Sequence, residues 1–134
     1  MIQVNLVAVV IASAAAMGIG FAWYSNAVFG KRWQKLTGLS GEKMDKSGMG
    51  KIVGITFLVT LISAYVLSIF MHYAGAYGLI LGAKTGFWAW LGFVMPVQLS
   101  THLFTKKPFE LFLVDSGYHL AALLVMGAVL GYWY

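Results

Sequence analysis

Long hydrophobic runs alternate with short polar stretches along this chain. Residues 4–29 and 52–73 contain no charged side chain, and residues 85–104 and 111–132 are almost as apolar. A helix needs about 20 residues, at about 1.5 Å each, to cross the hydrocarbon core of a bilayer. Each run is long enough, so the pattern predicts an all-α, polytopic membrane protein with four transmembrane helices. Residues 1–134 then form a single four-helix domain.

The composition favours a membrane protein over a soluble one. The 134 residues are 60% hydrophobic and only 10% charged, whereas soluble domains average about 25% charged. Mean hydropathy is +0.82. The first run lacks the basic segment that opens a secretory signal peptide, so we expect it to be retained as a transmembrane helix. Cysteine is absent, which excludes disulfide and thiol chemistry.

The basic residues are distributed unequally between the two sides of the predicted bundle. Nine Lys and Arg residues give a net charge of +5, and all except Lys84 lie in the loops 30–51 and 105–110. Because basic loops stay in the cytoplasm, both loops are predicted to be cytoplasmic and both termini external. The positive charge lies in loops between hydrophobic runs rather than on the surface of a soluble domain. The expected partner is therefore the lipid bilayer, and no nucleic acid is expected.

Small residues recur at helical spacing inside the runs, as at Ala14–Gly18, Ala16–Gly20, Ala64–Ser68 and Gly127–Gly131. Such pairs let helix backbones approach closely in lipid, where no hydrophobic force holds helices together. Two uses stay open. The pairs either pack the helices of one bundle or join copies of the chain into a homo-oligomer.

Pro96 lies within the third run and predicts a distortion there. Proline lacks an amide hydrogen and crowds the carbonyl four residues earlier, which belongs to Gly92. We expect a kink between these two positions. The kink is either static, or it acts as a hinge or exposes the freed carbonyl to a cavity.

Five polar side chains are predicted to meet in the cytoplasmic half of the membrane. Asp115 and His119 stand one helical turn apart and share a face. A charge costs about 2.5–3.5 kcal/mol at the bilayer centre and less near its edge. Gln98 and His102 share a face of the third run, and Asn26 ends the first run at the mouth of the site. We expect these side chains to turn inward, towards one another or water.

The cluster has three open interpretations. The first is structural, with Asp115 bonding His119 or a neighbouring helix. The second is a small polar cavity open to the cytoplasm. The third is a zinc site, but no paired-ligand motif fixes the distance between His102 and His119, so neither a metal nor a cofactor is predicted. The metalloprotease, nucleophile-elbow and nucleotide-binding motifs are all missing, and a non-enzymatic protein is predicted.

The favoured hypothesis is that this site binds a small solute or ion, or passes it through the membrane. Asn26, Gln98, His102, Asp115 and His119 are then the substrate-binding residues. The alternative is a non-enzymatic interaction or assembly protein that packs through its small-residue helix faces. A homo-oligomer is plausible under either hypothesis.

Three stretches of the chain carry a resemblance to a known family. They are "WYSNAVFGKRW" at the end of the first run, "TKKPFELFLVDSGYHL" and the closing "MGAVLGYW". Together they resemble the small bacterial membrane proteins of domain of unknown function 1761. The resemblance covers nearly the whole chain and implies four helices in a bacterial inner (plasma) membrane. It brings no activity, cofactor or site residue with it.

Overall fold

The chain is helical through most of residues 3–38 and 49–133, the part described by a computed structural model. No strand occurs among these residues. The elements in chain order are α1 (Leu6–Trp23), α2 (Gly30–Thr37), α3 (Met49–Ala74), α4 (Leu79–Ala89), a π-helical turn (Trp90–Val94), α5 (Met95–Phe104) and α6 (Phe109–Tyr132).

Four segments among the described residues are long and apolar enough to cross a membrane. Three are α1, α3 and α6, and the other is Leu79–Phe104, in which α4, the π turn and α5 follow one another. The predicted class, an all-α protein with four transmembrane helices, is confirmed. The orientation with both termini outside stays a prediction. We therefore name the two ends by content: the basic end carries α2 and the turn 105–108, and the terminal end carries both termini.

The first span is shorter than the predicted run 4–29. Helix α1 ends at Trp23, and the chain then turns back so that the Phe29 amide donates to the Trp23 carbonyl oxygen at 3.0 Å. The corner closes on Gly30, where a Cβ atom would lie 2.3 Å from the carbonyl oxygen of Tyr24. Only glycine fits at such a backbone approach. The fold-back lets α2 lie at the basic end instead of extending α1.

The third span begins earlier than the predicted 85–104. Gly78, in the left-handed region at φ 98°, turns the chain directly into α4 at Leu79. Residues 39–48 of the predicted loop 30–51 lie outside the described residues. The second span covers 49–74 against a predicted 52–73, and the fourth covers 109–132 against a predicted 111–132.

The distortion expected near Pro96 is a widened helical turn. Residues 90–94 form one turn of π-helix, and the amide of Met95 donates to the carbonyl oxygen of Trp90, five residues earlier. Pro96 cannot donate to the carbonyl of Gly92. A single π turn inside an α-helix accommodates such a missing bond without ending the helix.

At the terminal end, α4 and α6 touch backbone to backbone. A Cβ added at Gly82 would lie 2.0 Å from the carbonyl oxygen of Gly127, and one added at Gly86 would lie 2.1 Å from that of Leu123. Gly131 closes the interface against the turn before α4. Of the two uses left open for Gly127–Gly131, the structure shows packing within one chain.

Small side chains also fill the contact of α1 with α3 and α6. Ala8, Ala12, Ala16 and Ala64 are completely buried, and α6 contributes larger residues to the same core. This core lies in the half of the bundle nearer the terminal end. Its other buried members are Val9, Leu67, Met71, Ala76, Ala122, Met126 and Leu130.

The half nearer the basic end is packed loosely. No residue of α5 is buried, and the buried residues of α3 begin only at Ala64. Two apolar grooves of about 290 and 310 Å³ run beside the first half of α3 and share Thr56 and Tyr118 among their lining residues. The polar residues singled out in the sequence lie in this half.

Candidate functional site

Asp115 of α6 is held by a side chain that follows α1. The Tyr24 hydroxyl donates to its Oδ1 at 2.7 Å. Burial and this hydrogen bond raise the pKa of the Tyr24 hydroxyl far above its ordinary value, so it remains a donor. The Tyr24 ring packs edge-on against Trp33 and Tyr118. The carboxylate therefore has a fixed direction inside the bundle and is 25% exposed.

His102 of α5 approaches the same carboxylate from the other side. Its Nε2 lies 4.0 Å from Asp115 Oδ2, too far for a hydrogen bond. Its Nδ1 lies 2.8 Å from the carbonyl oxygen of Gln98. A carbonyl only accepts, so Nδ1 carries the hydrogen. In the neutral ring Nε2 is then a bare acceptor facing a carboxylate, and only a protonated ring could donate to Asp115.

Two tryptophans fix α6 on either side of Asp115. The indole of Trp23 donates to the carbonyl oxygen of Val114 at 3.0 Å, and that of Trp90 donates to the carbonyl oxygen of Ser116 at 2.9 Å. Gly117 leaves room for the first indole, since a Cβ there would lie 3.0 Å from its ring. The backbone around the acid is thus held from α1 and from the π turn.

A cavity of about 390 Å³ opens between α2 and the beginning of α6. One liquid water occupies about 30 Å³, so the space is large enough for a small organic molecule. Its walls are mostly apolar and carry one acid and one base. The lining residues are Trp33, Leu36, Thr37, Lys107, Leu111 and Asp115.

Helix α2 is fastened over this cavity by an ion pair. Arg32 Nε and Nη2 donate to the two carboxylate oxygens of Glu110, at the beginning of α6. The hydrogen bonds to Glu110 raise the pKa of the Arg32 guanidinium. Both side chains are nearly half exposed, so the pair positions α2 more than it stabilises the fold.

Three buried polar atoms on α5 and α6 lack a hydrogen-bond partner within the described part of the chain. They are Gln98 Oε1, His102 Nε2 and Ser116 Oγ. Buried polar atoms in folded proteins nearly always have a partner, whether protein, water or ligand. These side chains of α5 and α6 therefore have hydrogen-bonding capacity that the described part of the chain leaves unused.

The structure brings together two of the five residues predicted as a site. His102 Nε2 lies 4.0 Å from Asp115 Oδ2 where α5 faces α6, and Gln98 contributes the backbone carbonyl that the His102 ring bonds. His119 instead lines the 290 Å³ groove beside α3 and makes no hydrogen bond to Asp115. Asn26 is exposed in the turn after α1 and bonds none of the other four. The cluster thus divides, because successive turns of α6 face different neighbours.

Three contributors to the site were missed in the sequence analysis. Tyr24 and Trp33 look like ordinary interfacial aromatics, and Lys107 looks like an orientation signal. The available clue is the stretch "WYSNAVFGKRW". It contains Tyr24, whose hydroxyl bonds Asp115, the corner residue Gly30, Arg32, which pairs with Glu110, and the cavity-lining Trp33.

The chemistry open to this arrangement is binding by charge and hydrogen bonds. A fixed carboxylate can accept from a cation or donor, and Lys107 at the cavity can receive an anion. Among the described residues, no three His, Asp or Glu side chains come together as metal ligands.

Comparison with known proteins places the chain in a family. No curated protein and no solved structure matches it. One family matches over residues 7–131, and its description reads "Protein of unknown function (DUF1761)". That match covers nearly the whole chain, including all of α2 to α5 and all but one residue each of α1 and α6. This four-span membrane protein therefore belongs to the DUF1761 family.

Proposed function

We propose that the protein binds a small polar solute or ion, or passes it through the membrane, at a site centred on Asp115. One observation carries the proposal. A carboxylate inside a membrane span lines a 390 Å³ cavity at the basic end. Ionisable groups inside membranes are costly and usually face a pathway or a water-filled cavity.

The neighbouring atoms support a binding role. Tyr24 fixes Oδ1 of the carboxylate, while Oδ2 makes no hydrogen bond within the described chain. Gln98 Oε1, His102 Nε2 and Ser116 Oγ are buried without partners nearby on the same pair of helices. A purely structural cluster would satisfy these atoms internally. None of the three residues lines the 390 Å³ cavity, so a ligand there would reach these atoms only after the side chains move.

A flux experiment in liposomes tests this proposal. The purified protein is reconstituted, and movement of protons, sodium, potassium and radiolabelled amino acids is followed together with ligand-induced shifts in thermal unfolding. We expect at least one solute to bind or cross, and Asp115→Asn to abolish the effect. Lys84→Gln is the control, because it removes an exposed charge near the terminal end without touching the cavity lining. Absence of both flux and thermal shift in the unmutated protein would overturn the proposal.

The alternative function, assembly through small-residue faces, draws on α1. Ala14 and Gly18 are exposed, and no atom of residues 3–38 or 49–133 lies within 4 Å of a Cβ placed at Gly18. This face suits close approach of a second copy in lipid. Gly18→Leu should then abolish cross-linking between copies in native membranes, while Asp115→Asn leaves it intact. Unchanged cross-linking in Gly18→Leu contradicts assembly through α1.

We also propose that the basic end faces the cytoplasm of a bacterial inner membrane and that the protein is not an enzyme. Native cysteine is absent, so single cysteines report sidedness cleanly. In intact cells, a membrane-impermeant maleimide should label Lys84→Cys and spare Lys107→Cys until the cells are opened. The reverse pattern would invert the orientation.

A further inference from the structure

We propose that the ligand of the Asp115 cavity is a zwitterion, a small molecule with an ammonium group at one end and a carboxylate or similar anion at the other. The inference rests on the proposed binding function and names its substrate class. It comes from the two opposite charges that line one cavity, Asp115 and Lys107.

The acid and the base occupy different levels of the cavity. Asp115 lies about 9 Å along α6 from Phe109, at about 1.5 Å per residue, and Lys107 precedes the helix by two residues. The Lys107 amide donates to the carbonyl oxygen of His102 at 3.1 Å, which fixes its backbone at the end of α5. The deep charge is thus negative and the charge near the rim is positive.

The carboxylate is prepared for an ammonium group. Tyr24 occupies Oδ1, and Oδ2 has no hydrogen-bond donor within the described chain. The neutral His102 ring offers Asp115 no donor either, because its Nδ1 hydrogen bonds the Gln98 carbonyl and its Nε2 lies 4.0 Å from Oδ2. An ammonium carries three donors, so it can bond Oδ2, the carboxylate oxygen that Tyr24 leaves open.

The remaining walls are mostly apolar. Trp33, Leu36 and Leu111 line the same cavity as the two charges. An apolar surface suits the methylene chain that separates the ends of an ω-amino acid. A plain anion meets repulsion from Asp115, and a plain cation meets repulsion from Lys107. Only a molecule that carries both charges satisfies both side chains.

The test uses a matched series of probes. ω-Amino acids from β-alanine to ε-aminocaproate are compared with their carboxamides, which keep only the cation, and their N-acetyl derivatives, which keep only the anion. Binding to the detergent-purified full chain is measured by calorimetry. We expect one chain length to bind best and to exceed both of its singly charged derivatives by about tenfold or more.

Two variants assign each charge. Lys107→Gln should bring affinity for the amino acid down to that for its carboxamide, and Asp115→Asn should bring it down to that for the N-acetyl derivative. Lys107 is exposed, so its variant remains folded even if Asp115→Asn does not. Lys106→Gln is the matched control, because its exposed side chain does not line the cavity.

The outcomes distinguish failure of the zwitterion proposal from failure of the proposed binding function. If the carboxamide binds as tightly as the amino acid and Lys107→Gln changes nothing, the ligand is a cation. The zwitterion is then overturned while binding at Asp115 stands. If no probe binds and the liposome experiment also shows neither flux nor thermal shift, both proposals fall. Tenfold discrimination that Lys107→Gln removes supports the zwitterion.

Discussion

The two halves of this bundle are built on different principles. Near the terminal end, glycines and alanines bring backbones into contact, as where Gly82 meets Gly127. Near the basic end, α5 buries none of its residues and α3 borders open grooves. The comparison indicates a division of labour. The packed half holds the helices together, so the other half can keep space and unpaired polar atoms around Asp115.

A side chain forced into the packed half should have the most severe effect. Gly82→Val places a Cβ about where the Gly127 carbonyl oxygen now lies, and overpacking against backbone costs about 3 kcal/mol. We expect that loss in the free energy of unfolding, measured by denaturant titration in micelles. The control is Gly54→Val on α3, where no atom of the described chain lies within 4 Å of an added Cβ. An equal loss in the free energy of unfolding at both glycines would contradict the difference in packing between the two halves.

A matched pair of serines on α3 compares the halves within one helix. Ser68 is fully buried, whereas Ser63 is exposed and lines the 290 Å³ groove. Ser68→Leu should lower the free energy of unfolding by about 2 kcal/mol. Ser63→Leu should change it by less than about 0.5 kcal/mol. A large loss at Ser63 would show that the loose half is packed in solution.

Removing one hydroxyl at the site should have a moderate effect on stability. Tyr24→Phe loses the hydrogen bond to Asp115, and bonds to charged groups contribute about 1.5 kcal/mol or more. Unfolding of the purified protein measures this loss. Tyr65→Phe is the control, because Tyr65 is 43% exposed and its hydroxyl bonds nothing in the described chain. Indistinguishable variants would mean that Tyr24 does not hold the acid.

The spans were predictable because hydropathy and length are local properties of the sequence. The corner at Gly30 was not, since residues 24–29 carry no charge to end the hydrophobic run and only the backbone approach to Tyr24 reveals the turn. Spacing suggested that Gly127–Gly131 packs closely but could not name its partner. That partner, α4, was placed by the chain reversal at Gly78.

Part of the site was predictable because helical spacing, like hydropathy, is a local property of the sequence. Helical spacing predicted Asp115, His102 and Gln98 at one depth, and the structure has His102 Nε2 4.0 Å from Asp115 Oδ2. It could not say which neighbour each turn of α6 faces, so it joined His119 to Asp115 although their side chains line different spaces. Tyr24 escaped notice because a tyrosine near a membrane boundary has a sufficient explanation without any partner.

The indoles of Trp23 and Trp90, which bond the backbone of α6, limit how far this helix can rotate to turn Asp115 in another direction. They attach to the carbonyls one residue before and one residue after the acid, from opposite elements. A rotation of α6 about its long axis by the angle between neighbouring residues, about 100°, would break both attachments at once. In a variant whose other three tryptophans, Trp33, Trp88 and Trp133, are replaced, the fluorescence of Trp23 and Trp90 is therefore an internal gauge of helix rotation.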